Sequence, residues 1–280
     1  MVSIFTILAL SFSLMGCFVF PIVLCIVFMR KTRPGAIPLL IGMAVFIVFA
    51  LILEQSMHYL ILRLIPETRT LLEGNDWLFA VYGALAAGVF EEVGRLLAFL
   101  LILKKKREWK HGIAYGIGHG GIEAILLVFP AMLNNLIYAI MINTGTFDAL
   151  LRSVPGGETG DTGKILLQVK ESLLTEPSWL YSMAGFERIF TIIIQIAFSL
   201  LVLYAVYSKK YLFFGLAILL HAGIDFPAAL YQRGMVPLWA TEVFVGIAAI
   251  AAFVFILKSR SLFAKKEDVP AVETTEAHPL

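Results

Sequence analysis

Polar positions are sparse along this chain, and they fall so that short charged stretches separate long, predominantly apolar runs. Seven such runs recur, at roughly 3–29, 37–62, 77–103, 111–142, 179–207, 211–231 and 235–257. Each can cross a hydrocarbon core of about 30 Å as a helix. Backbone groups in lipid must be satisfied within the segment, so helix is the natural spanning form. The pattern predicts an all-α, polytopic transmembrane helical bundle, built as a single domain over residues 1–263. Pro130 lies inside the fourth run and predicts a kink or break there. After that run comes a Gly-rich stretch, Pro155 to Gly163, then an amphipathic piece, Ile165 to Leu174, which predicts a short interfacial helix. Residues 264–280 are polar and predict a disordered cytoplasmic tail.

The charge of the connecting stretches alternates. Arg30 to Arg33, Lys104 to Lys110, Lys209-Lys210 and the stretch from Lys258 onward together hold 14 Lys and Arg. The opposite set, 63–76, 143–178 and 232–234, holds only 6 and is rich in acids. Positive loops stay cytoplasmic. The N-terminus is therefore expected outside and the C-terminus inside, in agreement with an odd number of spans.

Composition supports the membrane reading. Of 280 residues, 60% are hydrophobic and 15% charged, against about 25% charged in a soluble domain. The net charge of +2 is small, and no basic patch with interleaved aromatics suggests a nucleic-acid partner. Cys17 and Cys25 both fall in the first run, so neither a disulfide framework nor a cysteine metal site is predicted. Leu14-Met15-Gly16-Cys17 resembles a lipoprotein cleavage box. No basic residue precedes it and the apolar run continues to Met29, so a retained first helix is expected.

What changes the picture is charge inside the runs. A charge at the bilayer centre costs about 2.5–3.5 kcal/mol on insertion scales, which makes such residues functional candidates. At about 1.5 Å of rise per residue, Glu91, Glu92 and Arg95 in the third run, His119 and Glu123 in the fourth, and His221 and Asp225 in the sixth share a layer roughly 13–22 Å from the cytoplasmic ends of their helices. Glu91/Arg95, His119/Glu123 and His221/Asp225 are i, i+4 pairs, so each pair shares a helix face. Gly118, Gly120 and Gly121 around His119 permit close helix approach. An outer layer holds Glu54, His58, Glu187, Arg188 and Gln195, and Asn134 and Asn135 are read as packing groups. Arg95 offsets one glutamate of the middle layer and leaves acid over.

Two histidines with several carboxylates can activate water by general acid–base chemistry, hydrogen-bond a developing oxyanion, or bind zinc. The chain has no His-Glu-x-x-His and no Gly-x-Ser-x-Gly. Chains of Asp, Glu and His also serve proton relays, so a proton-coupled transporter or channel is the competing class. A non-catalytic scaffold that binds partners through the same residues is a third.

Glu91-Glu92-Val93-Gly94-Arg95 is similar to the Glu-Glu-x-x-Arg motif of the CAAX-protease and bacteriocin-processing superfamily of intramembrane proteases. Tyr115-x-x-x-His119 and His221-x-x-x-Asp225 resemble its second and third motifs. With Glu123 following His119, the layout most resembles the YhfC family of intramembrane endopeptidases, described as glutamic-type or metallo-type and related to PrsW. The resemblance covers nearly the whole chain. It implies Glu91 or Glu92 as general base on a water, His119 as its helper, and His221 with Asp225 at the oxyanion. Arg95 would orient the glutamates, and Glu187 and Arg188 are candidates for a second layer. It implies no cofactor if the enzyme is glutamic-type. If metallo-type, it implies zinc held among His119, His221, Glu123 and Glu92. The implied partners are the lipid bilayer and a transmembrane or juxtamembrane peptide substrate, in a multi-pass protein of the cell membrane. Asp225 departs from the Asn usual in the third motif, and a carboxylate is a poorer oxyanion partner than an amide.

Overall fold

The computed structural model describes residues 1–263, so the tail expected over 264–280 lies outside the described residues. The chain forms α1 (Ile4–Thr32), α2 (Ala36–Leu64), a short α3 (Pro66–Glu73) and α4 (Asp76–Leu97), which continues through a wider π-type turn at Ala98–Ile102. Then follow α5 (Trp109–Thr144), the short α6 (Phe147–Ser153), α7 (Asp161–Thr175), α8 (Ser178–Ser208), α9 (Leu212–Gln232) and α10 (Leu238–Phe263). Among the described residues there is no strand.

Among the described residues six helices, α1, α2, α5, α8, α9 and α10, are long and apolar enough to cross a membrane, and the protein is a multi-pass helical bundle. The third expected span, 77–103, is α4 with its continuation; it is outside that group and carries Glu91, Glu92 and Arg95. Large apolar side chains such as Leu8, Leu40, Leu219, Ile247 and Ile250 stand exposed on the outside of the bundle, as a lipid-facing surface requires.

Local chemistry sets the helix ends. Asn75 accepts from the Leu78 backbone N–H at 3.0 Å and opens α4. Glu108 opens α5 through a reciprocal pair with His111. Lys110 hydrogen-bonds Glu108 and holds its carboxyl below the usual glutamate range. α5 closes on Gly145, whose φ of 76° is the left-handed cap that glycine accepts. Pro130 breaks the regular ladder without ending the helix. A π-type turn at Ala124–Val128 immediately precedes it, which absorbs the missing N–H and the crowding of the ring. The expected amphipathic helix is α7, which turns Leu166 and Leu173 inward. Lys170 ties it to Asp148 of α6 at 2.9 Å. Cys17 lies within the continuous α1 and is buried.

Two features place the interior. The first is α8, which is buried almost all round from Ile192 to Val206, as a helix with no solvent or lipid face must be. The second is α5, whose segment from His111 to Gly121 is buried throughout because glycines let neighbours close on opposite faces. A Cβ on Gly118 would overlap the Leu39 backbone carbonyl of α2, and one on Gly42 of α2 would overlap the Tyr115 carbonyl. On the other face, a Cβ on Gly116 would come within 2.5 Å of the Ile196 Cα of α8. His119 is thus carried on a helix clamped by backbone on both sides. On the remaining side, α4 packs along α9, where a Cβ on Gly88 would lie 2.9 Å from the Ile218 carbonyl.

Because rigid backbone blocks the added methyl, Gly118→Ala should destabilise the protein by about 1–3 kcal/mol, the usual range for overpacking. Gly83→Ala, on α4 with open space around it, is the control and should unfold like the parent. Thermal unfolding in detergent distinguishes the two, and equal melting of the variants would contradict the clamp.

Candidate active site

The three polar pairs expected in one layer meet in the interior. From α4, Glu91 is nearly inaccessible, and Glu92 and Arg95 are fully so. α5 supplies His119 and Glu123, and α9 supplies His221 and Asp225. The two adjacent glutamates have different partners. Arg95 Nη1 donates to Glu92 Oε1 at 2.6 Å, and His221 Nδ1 lies 2.7 Å from the same oxygen. Glu91 Oε2 instead lies 2.8 Å from His119 Nε2, with Arg95 Nη2 no nearer than 3.9 Å. Glu92 is therefore tied up by a cation and an imidazole, whereas Glu91 is bound by His119 and by no hydrogen bond from the guanidinium.

His221 spans the site. Its Nε2 faces Asp225 Oδ2 at 3.4 Å and Glu91 Oε2 at 3.9 Å. Phe198 of α8 stacks on its ring, with centroids 4.9 Å apart and planes 8° from parallel. Asp225 is the most open member, with its side chain 39% exposed. His119 is packed between Phe46, edge-on at 5.3 Å, and Tyr115, at 6.1 Å.

α8 contributes two residues at the centre. Gln195 Nε2 donates to Glu91 Oε2 at 3.1 Å and to Glu123 Oε2 at 3.0 Å, and its Oε1 accepts from Arg95 Nη2 at 2.5 Å. Arg188 Nη1 donates to Glu123 Oε1 at 2.9 Å, and Nη2 binds Glu187. Sequence spacing had set Gln195 and Arg188 in an outer layer apart from the middle one. The structure joins the layers through Glu123. Gln195 is fourteen residues ahead of Lys209, roughly 21 Å in by helical rise, which is the depth of Glu91; an uncharged residue in an apolar run carries little signal beside the charges. Glu187 stays at the rim with its side chain 36% exposed.

Two other polar features lie apart. Glu54, His58 and Tyr82 form a cluster of their own, with His58 Nδ1 2.6 Å from the Tyr82 hydroxyl and Nε2 3.2 Å from Glu54. Glu242 of α10, a lone acid inside an otherwise apolar run, went unremarked in the sequence pattern; its Oε2 is buried without a partner.

One ligand atom each from Glu91, His119 and Glu123 lies within 4.8 Å of the others. An imidazole nitrogen with two carboxylate oxygens is a donor set that zinc accepts, so these residues fit a metal. Glu92, expected in such a set, instead faces Arg95 and His221.

The profile of the family described as YhfC intramembrane metalloprotease matches residues 16–245. The chain belongs to the YhfC family. It is 39% identical over 247 residues to the membrane protein YhfC of Bacillus subtilis (strain 168), covering 88% of this chain and 93% of that protein. No solved structure matches it. Membership of this family supports a membrane protease at the level of the family as a whole.

The buried ion pairs carry a stability prediction. Removing one partner of such a pair costs about 3–5 kcal/mol because the other is left as an unpaired buried charge. Arg188→Met should therefore lower unfolding stability by that order. Adding Glu123→Gln should recover part of it, as measured by chemical denaturation in detergent. A double variant no more stable than the single would contradict the pairing.

Proposed function

We propose that this YhfC-family protein is an intramembrane endopeptidase that hydrolyses a transmembrane or juxtamembrane peptide with water activated at Glu91 and His119. The observation that carries the reading is the convergence of Glu91, His119 and Glu123 in the buried interior, with His221 facing them from α9.

The unequal partners of the twin glutamates suggest their roles. Glu92 is spent on Arg95 and His221 and serves to hold them. Glu91 has the freer carboxylate and serves as general base. In the hydrolytic step the water oxygen bonds the peptide carbonyl carbon while a water proton passes to Glu91. The C–N bond then breaks as the amine takes a proton, leaving a carboxylic acid and an amine. His119, 2.8 Å from Glu91, shares and orients that proton. His221 Nε2 is positioned to donate to the carbonyl oxygen as negative charge builds on it. Asp225 acts through His221 rather than on the oxyanion directly, which accommodates an acid where the related motif has an amide. In the metallo form, Glu91, His119 and Glu123 would hold zinc, which would supply Lewis acidity at the site. Three buried glutamates facing two buried arginines, Arg95 and Arg188, leave acid uncompensated, and that favours a cation at this place. The bundle is read with seven spans, N-terminus outside, which sets the site roughly 13–22 Å from the cytoplasmic side.

Reconstituted with a transmembrane peptide substrate, the protein should lose cleavage by about 10²–10⁴-fold in Glu91→Gln and in His119→Ala, the usual span for removing a general acid or base. Glu92→Gln should lose activity mainly through misplacement, and Asp225→Asn should retain most of it. Full turnover in Glu91→Gln would overturn the assignment. Metal content of the purified protein, set beside activity with a chelator present, separates the two types: zinc bound one to one and lost together with activity marks the metallo form.

A further inference from the structure

We infer that Gln195 is the positioning residue that sorts the twin glutamates, assigning the direct Arg95 hydrogen bond to Glu92 and keeping it from Glu91; the catalytic meaning of this sorting rests on the peptidase reading above.

Glu91 and Glu92 are adjacent on α4, and Arg95 lies three and four residues on, within reach of both. Nothing in that spacing tells the guanidinium which carboxylate to take. In the structure it takes Glu92 with Nη1 at 2.6 Å, while its Nη2 turns to the Gln195 side-chain oxygen at 2.5 Å and stands 3.9 Å from Glu91. The Gln195 oxygen thus removes the second arm of the arginine from Glu91. The Gln195 amide nitrogen then gives Glu91 a neutral donor at 3.1 Å, and gives its other proton to Glu123 at 3.0 Å. All three hydrogen-bonding positions of the amide nearest the cluster are used, and Gln195 is itself almost wholly buried.

The residue type follows from this geometry. A carboxylate here would add a like charge beside Glu91 and Glu123. A lysine would pair with them and withdraw the base. Asparagine is one methylene too short to reach from α8. A primary amide offers one acceptor and two donors without net charge, so it holds two acids near each other and leaves both able to take a proton or a cation. Gly120 on α5 makes the room: a Cβ there would meet the Gln195 Cβ at 3.1 Å. The role is positioning because Gln195 acts through the acids and Arg95 that it holds.

The test is Gln195→Met, close in volume and without hydrogen-bonding groups, with Gln195→Asn beside it, in the full chain in detergent or liposomes. The first readout is independent of activity. Infrared carboxylate bands of the ¹³C-Glu-labelled protein are assigned with Glu91→Gln and Glu92→Gln. In Gln195→Met the Glu91 band should move toward that of Glu92, as Arg95 turns to it. An unmoved Glu91 band overturns the inference. The second readout is cleavage. kcat should fall by about 10²-fold, the scale of an ångström's misplacement, with KM within about threefold, measured at a temperature where the variant remains folded. Asparagine should not rescue it. Parent-like kcat in Gln195→Met, or a loss carried mainly by KM, overturns the positioning role. If the parent protein shows no cleavage under any metal condition, the peptidase reading fails while the infrared result still decides the sorting.

Discussion

Everything at the centre of this protein answers to one constraint: three glutamates and two arginines are held where water cannot screen them. Burying an ion is expensive unless a partner with good geometry and further hydrogen bonds meets it. The fold meets that demand with a continuous network. It runs from Glu187 through Arg188, Glu123 and Gln195 to Glu91 and His119, and branches at Gln195 through Arg95 and Glu92 to His221 and Asp225. Four helices contribute to it, so the bundle cannot rearrange one without exposing charge on another. The glycine contacts of α5 and the all-round burial of α8 are the packing counterpart of the same demand, since the side chains reach one another only where backbones approach this closely.

The cluster also divides labour between chemically identical groups. Glu91 and Glu92 are neighbours in sequence and both buried, yet Glu92 is bound by a guanidinium and an imidazole and Glu91 by a histidine and a neutral amide. Environment rather than residue type sets these two identical carboxylates apart. His221 shows the same economy of means: one nitrogen serves Glu92 and the other remains turned toward Glu91 and Asp225.

Much of this was legible from spacing. Charges inside apolar runs announced Glu91, Arg95, His119, Glu123, His221 and Asp225, because a charge in lipid needs a reason and helical rise converts residue number into depth. The glycines around His119 announced close packing. What spacing could not supply was the contribution of α8. Gln195 was placed in the outer layer, because an uncharged amide in an apolar run gives no sign of the charges it joins. Arg188 was visible but was assigned by depth to the rim, because rise along an axis ignores the reach of long side chains between helices. Which glutamate Arg95 would choose was likewise beyond reach, since i, i+3 and i, i+4 partners are equivalent until a third helix intervenes. The six clearly apolar helices followed directly from hydropathy, while the buried charges of α4 lower its apolar signal below theirs.

The pairing pattern has a consequence for how the chain comes into being. Synthesis proceeds from the N-terminus, so α4 and α5 reach the membrane before α8 exists. Glu92 travels with its counter-ion, since Arg95 is three residues away on the same helix. Glu123 does not: its arginine lies 65 residues further along. During biogenesis α5 must therefore cross with that acid protonated, wait at the insertion machinery, or shelter against α4, until the arrival of α8 completes the circuit.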